Sequence, residues 1–556
     1  LHKLFNKFQN LSVAGFALAI LVLNTIQAAF TQLSADESLY AYYASHMSWG
    51  YFDHPPLIAL YVWLGTSIAS FLGIHSSELA VRASTVISFS VSIYVLWLAL
   101  DDRSKRSIFF ASVLAFFLPH LFGFISTPDS PLFLCTSLFL WQYKLYCDKA
   151  SAMRAILLGI CMALMMYCKY HAGLFIVLIV IGNLRLLRHW QSWLAVLVAL
   201  LCFTPHIWWQ VSHQFPTLQY HLSDRATRFK WQYVPEYLAS VLGAYALLAV
   251  PAIYVVLRQK MIAPFYKSLQ VAVVGFLLFF LVYTLRGHVQ AQWVMPCVPP
   301  LILLLSTFVP ASKIKFVRAS ALACIVVQIM LRLFLILPQQ FIKTDFHGNK
   351  QVAQALAQYN TQKLPVLVHN SYQIASLYRF YAGDTSVYNT YNYYGRAGEY
   401  QVHKGNDAAF HDKDVLLCFS EGFYANVDTL MHPANVHPAY VVKHRYVAFD
   451  GLQLKDVKQV STTKFSATIY NSYAWPLRID DSTTTLHFAV AAFDAQGKDI
   501  ARPVLHLNSS IDCKAQAQQS FSFNVDAVAS AYSYRIFLVQ SGFFDGPVLA
   551  DVFNNE

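Results

Sequence analysis

The 556-residue chain is 56% hydrophobic and only 12% charged, with a mean hydropathy of +0.43. Soluble domains carry roughly 25% charged residues, so most of this apolar surface has to face lipid, and a soluble enzyme is excluded. The formal charge of +11 sits in short Lys/Arg clusters between apolar runs rather than along one face, which argues against a nucleic-acid partner.

In chain order, stretches suited to a hydrocarbon core of about 30 Å lie near 11–30, 79–100, 107–125, 131–147, 153–168, 172–187, 192–211, 236–257, 268–285, 293–309 and 317–338. They predict a polytopic α-helical membrane protein with about 11–13 transmembrane helices. If residues 1–10 lie inside, every second connection is positive: Arg103 to Arg106, Lys144 to Arg154, Arg185 with Arg188, Arg258 to Lys267, and Lys313 to Arg318. The same alternation delivers residues 339–556 to the outside. No small-residue cleavage site follows the first span, which reads as an anchor rather than a removable signal.

Composition changes after Pro338, dividing the chain into a transmembrane domain (1–338), a small α/β domain (339–435) and a β-sandwich-like domain (436–556). The α/β reading rests on helices over Lys350–Tyr359 and Gln373–Tyr381 and strands at Val366–His369 and Val415–Phe419. Alternating segments such as Lys464–Tyr470, Thr485–Phe493 and Ser533–Val539 carry the sandwich. Of the nine cysteines only Cys418 and Cys513 lie in this part, and nothing in their spacing supports a disulfide or a metal site.

The chemistry collects in the outside loops. The first, 31–78, is too long for a simple connector. Leu39, Tyr43 and Met47 fall at helical spacing, predicting an amphipathic helix along the membrane surface. Asp36, at the mouth of the first span, is placed to act as a general base toward a hydroxyl. Ser34 with Glu37 also reads as a helix capping box, an alternative the spacing leaves open. A second outside turn, Ser126-Thr127-Pro128-Asp129-Ser130-Pro131, puts Asp129 on the same side, although Pro and Asp are ordinary turn residues. Lys169, Arg225 and Arg286 with His288 defy the positive-inside bias, and pairing with a lipid phosphate is one reason for cations there; snorkelling is the other. His54, beside Pro55-Pro56, is either a turn residue or a phosphate donor. Tyr391, Tyr393 and Tyr394 are suited either to stacking on sugar rings or to core packing.

An acidic pair just after the first span, Gly50-Tyr51-Phe52-Asp53-His54-Pro55-Pro56-Leu57, and Thr127-Pro128-Asp129 together resemble the large membrane glycosyltransferases of the C-type (GT-C) fold. The pattern is most similar to the bacterial protein O-mannosyltransferases and lipid A aminoarabinose transferases. Lys169-Tyr170, Gly287-His288 through Trp293 and Pro296, and Gly395-Arg396 through Glu399-Tyr400 extend it in matching order. The resemblance implies a polyprenyl-phosphate-linked sugar as donor and an acceptor lipid, glycan or protein on the periplasmic face of a bacterial inner membrane. It implies Asp36, Glu37 and Asp129 as catalytic residues, and Lys169, His54 and Arg225 as phosphate contacts. Tyr51, Asp53, His288 and Trp293 become substrate-loop residues. His54 departs from the pattern, since aminoarabinose transferases carry a lysine there. A divalent metal (Mg, Mn or Zn) on Asp36 and Asp129 is a further expectation, because hard cations favour carboxylates. A polytopic transporter or lipid flippase is the rival reading, but such proteins favour ionisable residues inside spans and broken helices in matched halves.

Overall fold

A computed structural model of the chain describes residues 11–74, 77–219, 229–245 and 250–338, and further along 342, 344–395, 397–402, 405–419, 428–430, 439–461, 463–480, 486–528, 530–540 and 545–553. The chain forms two compact units, Leu1–Gln339 and Gln340–Glu556.

The first unit is helical: α1 (Val13–Phe30), α2 (Ala35–Ser45), α3 (Leu57–Phe71), α4 (Ser77–Leu98), α5 (Arg106–Leu114), α6 (Leu118–Phe122), α7 (Asp129–Asp148), α8 (Ala152–Cys168), α9 (Ala172–Gly182) and α10 (Trp190–Ser212). There follow α11 (Pro216–Gln219), α12 (Tyr233–Ala244), α13 (Val250–Arg258), α14 (Pro264–Tyr283), a 3-10 segment Ala291–Cys297, α15 (Val298–Phe308) and α16 (Ile314–Ile336). Among the described residues six helical stretches are long and apolar enough to cross a membrane, and Leu57–Phe71, Ala152–Cys168 and Ala172–Gly182 are shorter apolar helices. Large apolar side chains stand exposed along α1, α10 and α16, including Ile26, Leu200, Leu201, Trp208 and Met330. That surface is compatible only with lipid, and the chain is a multi-pass membrane protein.

Three expectations change. The stretch 31–78 is not one outside loop: besides α2 it holds α3, which packs against α4. Fifteen residues rise only about 22 Å, short of a crossing, so a length criterion passes over α3. The stripe on α2 faces protein, with Leu39 and Tyr43 buried and Met47 beyond the helix end. The span expected at 107–125 is broken into α5 and α6.

The second unit begins with α17 (Asn349–Tyr359), β1 (Val366–His369), α18 (Tyr372–Ala382), β2 (Val387–Thr390), β3 (Lys413–Phe419), β4 (Asp428–Leu430) and β5 (Ala439–Tyr446). These strands make one sheet in the order β2-β1-β3-β5-β4, parallel from β2 to β3 and antiparallel beyond. The boundary expected at 435/436 therefore falls inside a sheet, because the apolar run of β5 pairs along β3 and not with the sandwich. The remaining strands are β6 (Leu452–Gln459), β7 (Lys464–Asn471), β8 (Leu477–Ile479), β9 (Leu486–Phe493), β10 (Asp499–Ala501), β11 (Leu505–Leu507), β12 (Ile511–Cys513), β13 (Gln518–Val525), β14 (Ser533–Gln540) and β15 (Asp545–Phe553). They form sheets β10-β9-β14-β15 and β11-β13-β7-β6, with β12 on β8. Phe488 stacks on Phe521 at 5.5 Å and Phe465 meets Tyr534 at 5.9 Å, so the two four-stranded sheets share a core. Cys418 and Cys513 are both buried and free.

Candidate active site

The site grows from the turn after α1. Ser34 caps α2 by accepting from the Glu37 backbone N–H, and the Glu37 carboxylate accepts in return from the Ser34 N–H at 3.1 Å. This capping box holds Glu37 fully buried, where a bare carboxylate would be costly. Arg82 of α4 compensates it with two charge-assisted bonds of 2.6 Å, and the backbone N–H of Ser126 donates a further one of 2.9 Å. Glu37 thus ties α2, α4 and the turn before α7 together. It is a positioning residue, not the catalytic one expected, because every face of its carboxylate is occupied. Asp36, one residue earlier, points the other way: it lies in the first turn of α2 and is exposed.

The loop Trp49–His54 is fastened to both sides. Tyr51 stacks on Tyr43 at 4.2 Å and its hydroxyl donates to the Tyr43 carbonyl, while Tyr43 donates to Asp53 at 2.8 Å. From α10, His206 Nδ1 donates to the Trp49 carbonyl at 2.6 Å, which fixes the tautomer and leaves Nε2 to accept from Tyr170 at 2.8 Å. Gln210 donates to Tyr170 and to Thr217, and Thr217 donates to the Tyr51 carbonyl at 3.0 Å. Gly50 lies flat against Trp209, leaving no room for a Cβ. Tyr51 is therefore buried support, whereas Asp53 and His54 remain partly exposed, with Asp53 Oδ2 3.8 Å from His54 Nε2.

Asp129 opens α7, and Lys169, which caps the end of α8, donates to its Oδ2 at 2.6 Å. Both are buried. Two residues nominated separately are thus one ion pair, so Lys169 is already committed before any phosphate arrives. The Asp129 Oδ1 atom is buried without a partner. Of the two carboxylates expected to hold a divalent metal, Asp129 is paired with Lys169 and Asp36 is exposed in the first turn of α2. No group of three candidate ligands occurs among the described residues.

The segment Ala291–Cys297 packs on α7, and Trp293 donates to Gln290 at 3.1 Å beside Phe280 and Tyr283. His288 is half-exposed, 3.8 Å from Glu236. Arg225 lies outside the described residues. Tyr393 is buried and stacks on Phe537 at 4.5 Å, so it is packing, while Tyr394 is exposed. Sequence reasoning missed Arg82, His206, Gln210 and Thr217. A polar or charged residue within an apolar run was the available signal for the first three.

Among solved structures, two crystal structures of ArnT from Cupriavidus metallidurans superpose on the chain with a TM-score of 0.58. One is the apo state at 12% identity, the other is bound to undecaprenyl phosphate at 13%; each match covers 77% of this chain and 97% of that one. The chain has the C-type glycosyltransferase fold of membrane proteins. Within it, residues 53–209 match the family described as dolichyl-phosphate-mannose-protein mannosyltransferase. A comparison with curated proteins found no match.

Proposed function

We propose that the chain is an inverting glycosyltransferase that moves a sugar from an undecaprenyl-phosphate-type donor to a lipid A, glycan or protein acceptor on the periplasmic face of a bacterial inner membrane. The observation that carries the reading is the placement of Asp36. It is an exposed carboxylate on a helix start locked by the Glu37–Arg82 pair, within a C-type fold, and the Glu37 carboxylate also holds the turn that leads to Asp129. Undecaprenyl phosphate in one ArnT structure supports the class of donor.

In this mechanism the acceptor oxygen attacks the anomeric carbon and its proton passes to Asp36. The bond from that carbon to the phosphate oxygen breaks, and its electron pair leaves with the polyprenyl phosphate. A phosphate is already a good leaving group, so the demand is for a base and for cations rather than a strong acid. His54, partly exposed, is the candidate cation on the loop. The buried Asp129–Lys169 pair leaves Asp129 Oδ1 to accept from a substrate hydroxyl. The C-terminal unit belongs on the same periplasmic side.

The test incubates purified protein in lipid nanodiscs with radiolabelled polyprenyl-phosphate sugars and outer-membrane acceptors. Wild type is expected to transfer label and Asp36→Asn to lose at least a hundredfold in kcat, in line with a general base. Full activity in Asp36→Asn, or no transfer by wild type from any lipid-linked donor, removes the assignment.

A further inference from the structure

Two buried arginines of the helical unit are satisfied very differently. Arg82 finds an acceptor for each of its five N–H groups: Glu37 takes two, and the carbonyls of Ala28, Thr31 and Gln32 take the others. Arg332, on α16, is 6% exposed, yet no ion pair among the described residues includes it. Its Nη2 donates to Asn24 Oδ1 at 2.6 Å and to the His120 carbonyl at 3.3 Å, and the guanidinium lies 4.7 Å over the Phe124 ring. Its Nη1 is buried with no acceptor. Four residues earlier on the same helix face, Gln328 is 7% exposed and its amide Nε2 is likewise buried with no acceptor.

A buried cation without a counter-charge is costly, and in a membrane span it marks a ligand or pathway by default. Both orphaned groups are donors, so the missing partner is an acceptor. One of them is a guanidinium with no counter-charge among the described ion pairs, and an anion supplies both the acceptor and that charge. We infer that Arg332 and Gln328 form an internal oxyanion site that takes the phosphate of a membrane lipid. The adjoining face of α16 suits its hydrocarbon chain: Ile329, Met330 and Leu333 are 50%, 65% and 55% exposed. The phosphate accepts from Arg332 Nη1 and Gln328 Nε2 and neutralises the guanidinium. Two lipids present this group, a polyprenyl phosphate monoester and the phosphodiester of a bilayer phospholipid. The site stands whether or not the chain transfers sugar.

Native mass spectrometry of the full chain, released from phosphatidylcholine nanodiscs doped with either undecaprenyl phosphate or phosphatidylglycerol, tests it. Wild type is expected to retain one more anionic lipid than Arg332→Gln, with affinity weakened roughly tenfold or more in the variant, as for loss of a charged hydrogen bond. Gln328→Leu keeps the charge and is expected to weaken retention less; it carries the test if Arg332→Gln does not fold. Retention in the undecaprenyl phosphate arm alone assigns the site to a donor-type lipid, and retention in the phosphatidylglycerol arm assigns it to bilayer lipid. Equal retention by wild type and by every folded variant in both arms overturns the site.

Discussion

At the level of single residues, the two acidic neighbours after α1 divide their work. Asp36 is exposed, which suits the base proposed for transfer, and Glu37 is buried among the bonds that tie the helices together. Removing one partner of a buried pair strands the other charge, so Glu37→Gln and Arg82→Met should each cost about 3–5 kcal/mol. The double variant Glu37→Gln/Arg82→Met should cost less than the two losses added together. Thermal melting of the detergent-solubilised protein measures this, and additive losses would mean the pair contributes nothing as a pair. The acidic doublet and its capping spacing were legible in the sequence. Which carboxylate was buried was not, because Arg82 lies forty-five residues on and reaches Glu37 only through the packing of α4 on α1. For the same reason Asp129 and Lys169 were both visible as candidates but not as partners.

At the scale of elements, the loop Trp49–His54 owes its shape to α10. A Cβ on Gly50 would stand 2.3 Å from the Trp209 ring, closer than such atoms approach. Gly50→Ala should therefore displace the loop, with an overpacking cost of about 1–3 kcal/mol and impaired transfer. Trimming the ring in Gly50→Ala/Trp209→Leu should restore part of the lost melting temperature, and no recovery would show that the loop is held elsewhere. The long spans were readable because about twenty apolar residues have few other uses. Helix α3 was not, since its fifteen residues fall below that length and follow a Pro-Pro turn. The fastening of the loop by His206, Gln210 and Thr217 was invisible, as it joins residues more than 150 positions apart.

At the scale of the whole molecule, the C-terminal unit carries an acid-sensitive group. His369, on β1, is bonded to Thr390 at 3.1 Å, and burial pushes its pKa down to about 3 from the ordinary 6.5. The unfolded chain therefore binds a proton between those values that the folded one refuses. The contribution of His369 is fully present above about pH 6.5 and is lost at about 1.4 kcal/mol per pH unit as acidity increases toward the folded value. Hydrogen exchange of β1 and its neighbours at pH 7 and pH 5, corrected for the intrinsic exchange rate at each pH, should show lower protection at the lower pH, and His369→Asn should flatten that difference. An unchanged difference in the variant would assign the acid response to another group. The β-rich character of this region was evident in its alternating segments, but the place of β5 was not, because strand partners are chosen by three-dimensional pairing and not by proximity in sequence. That place also dictates an order of assembly during synthesis. β5 lies between β3 and β4, so β4 has no neighbour to bind until Ala439–Tyr446 has been made, and a chain stopped at 435 would leave the apolar edge of β3 open to pairing with another copy.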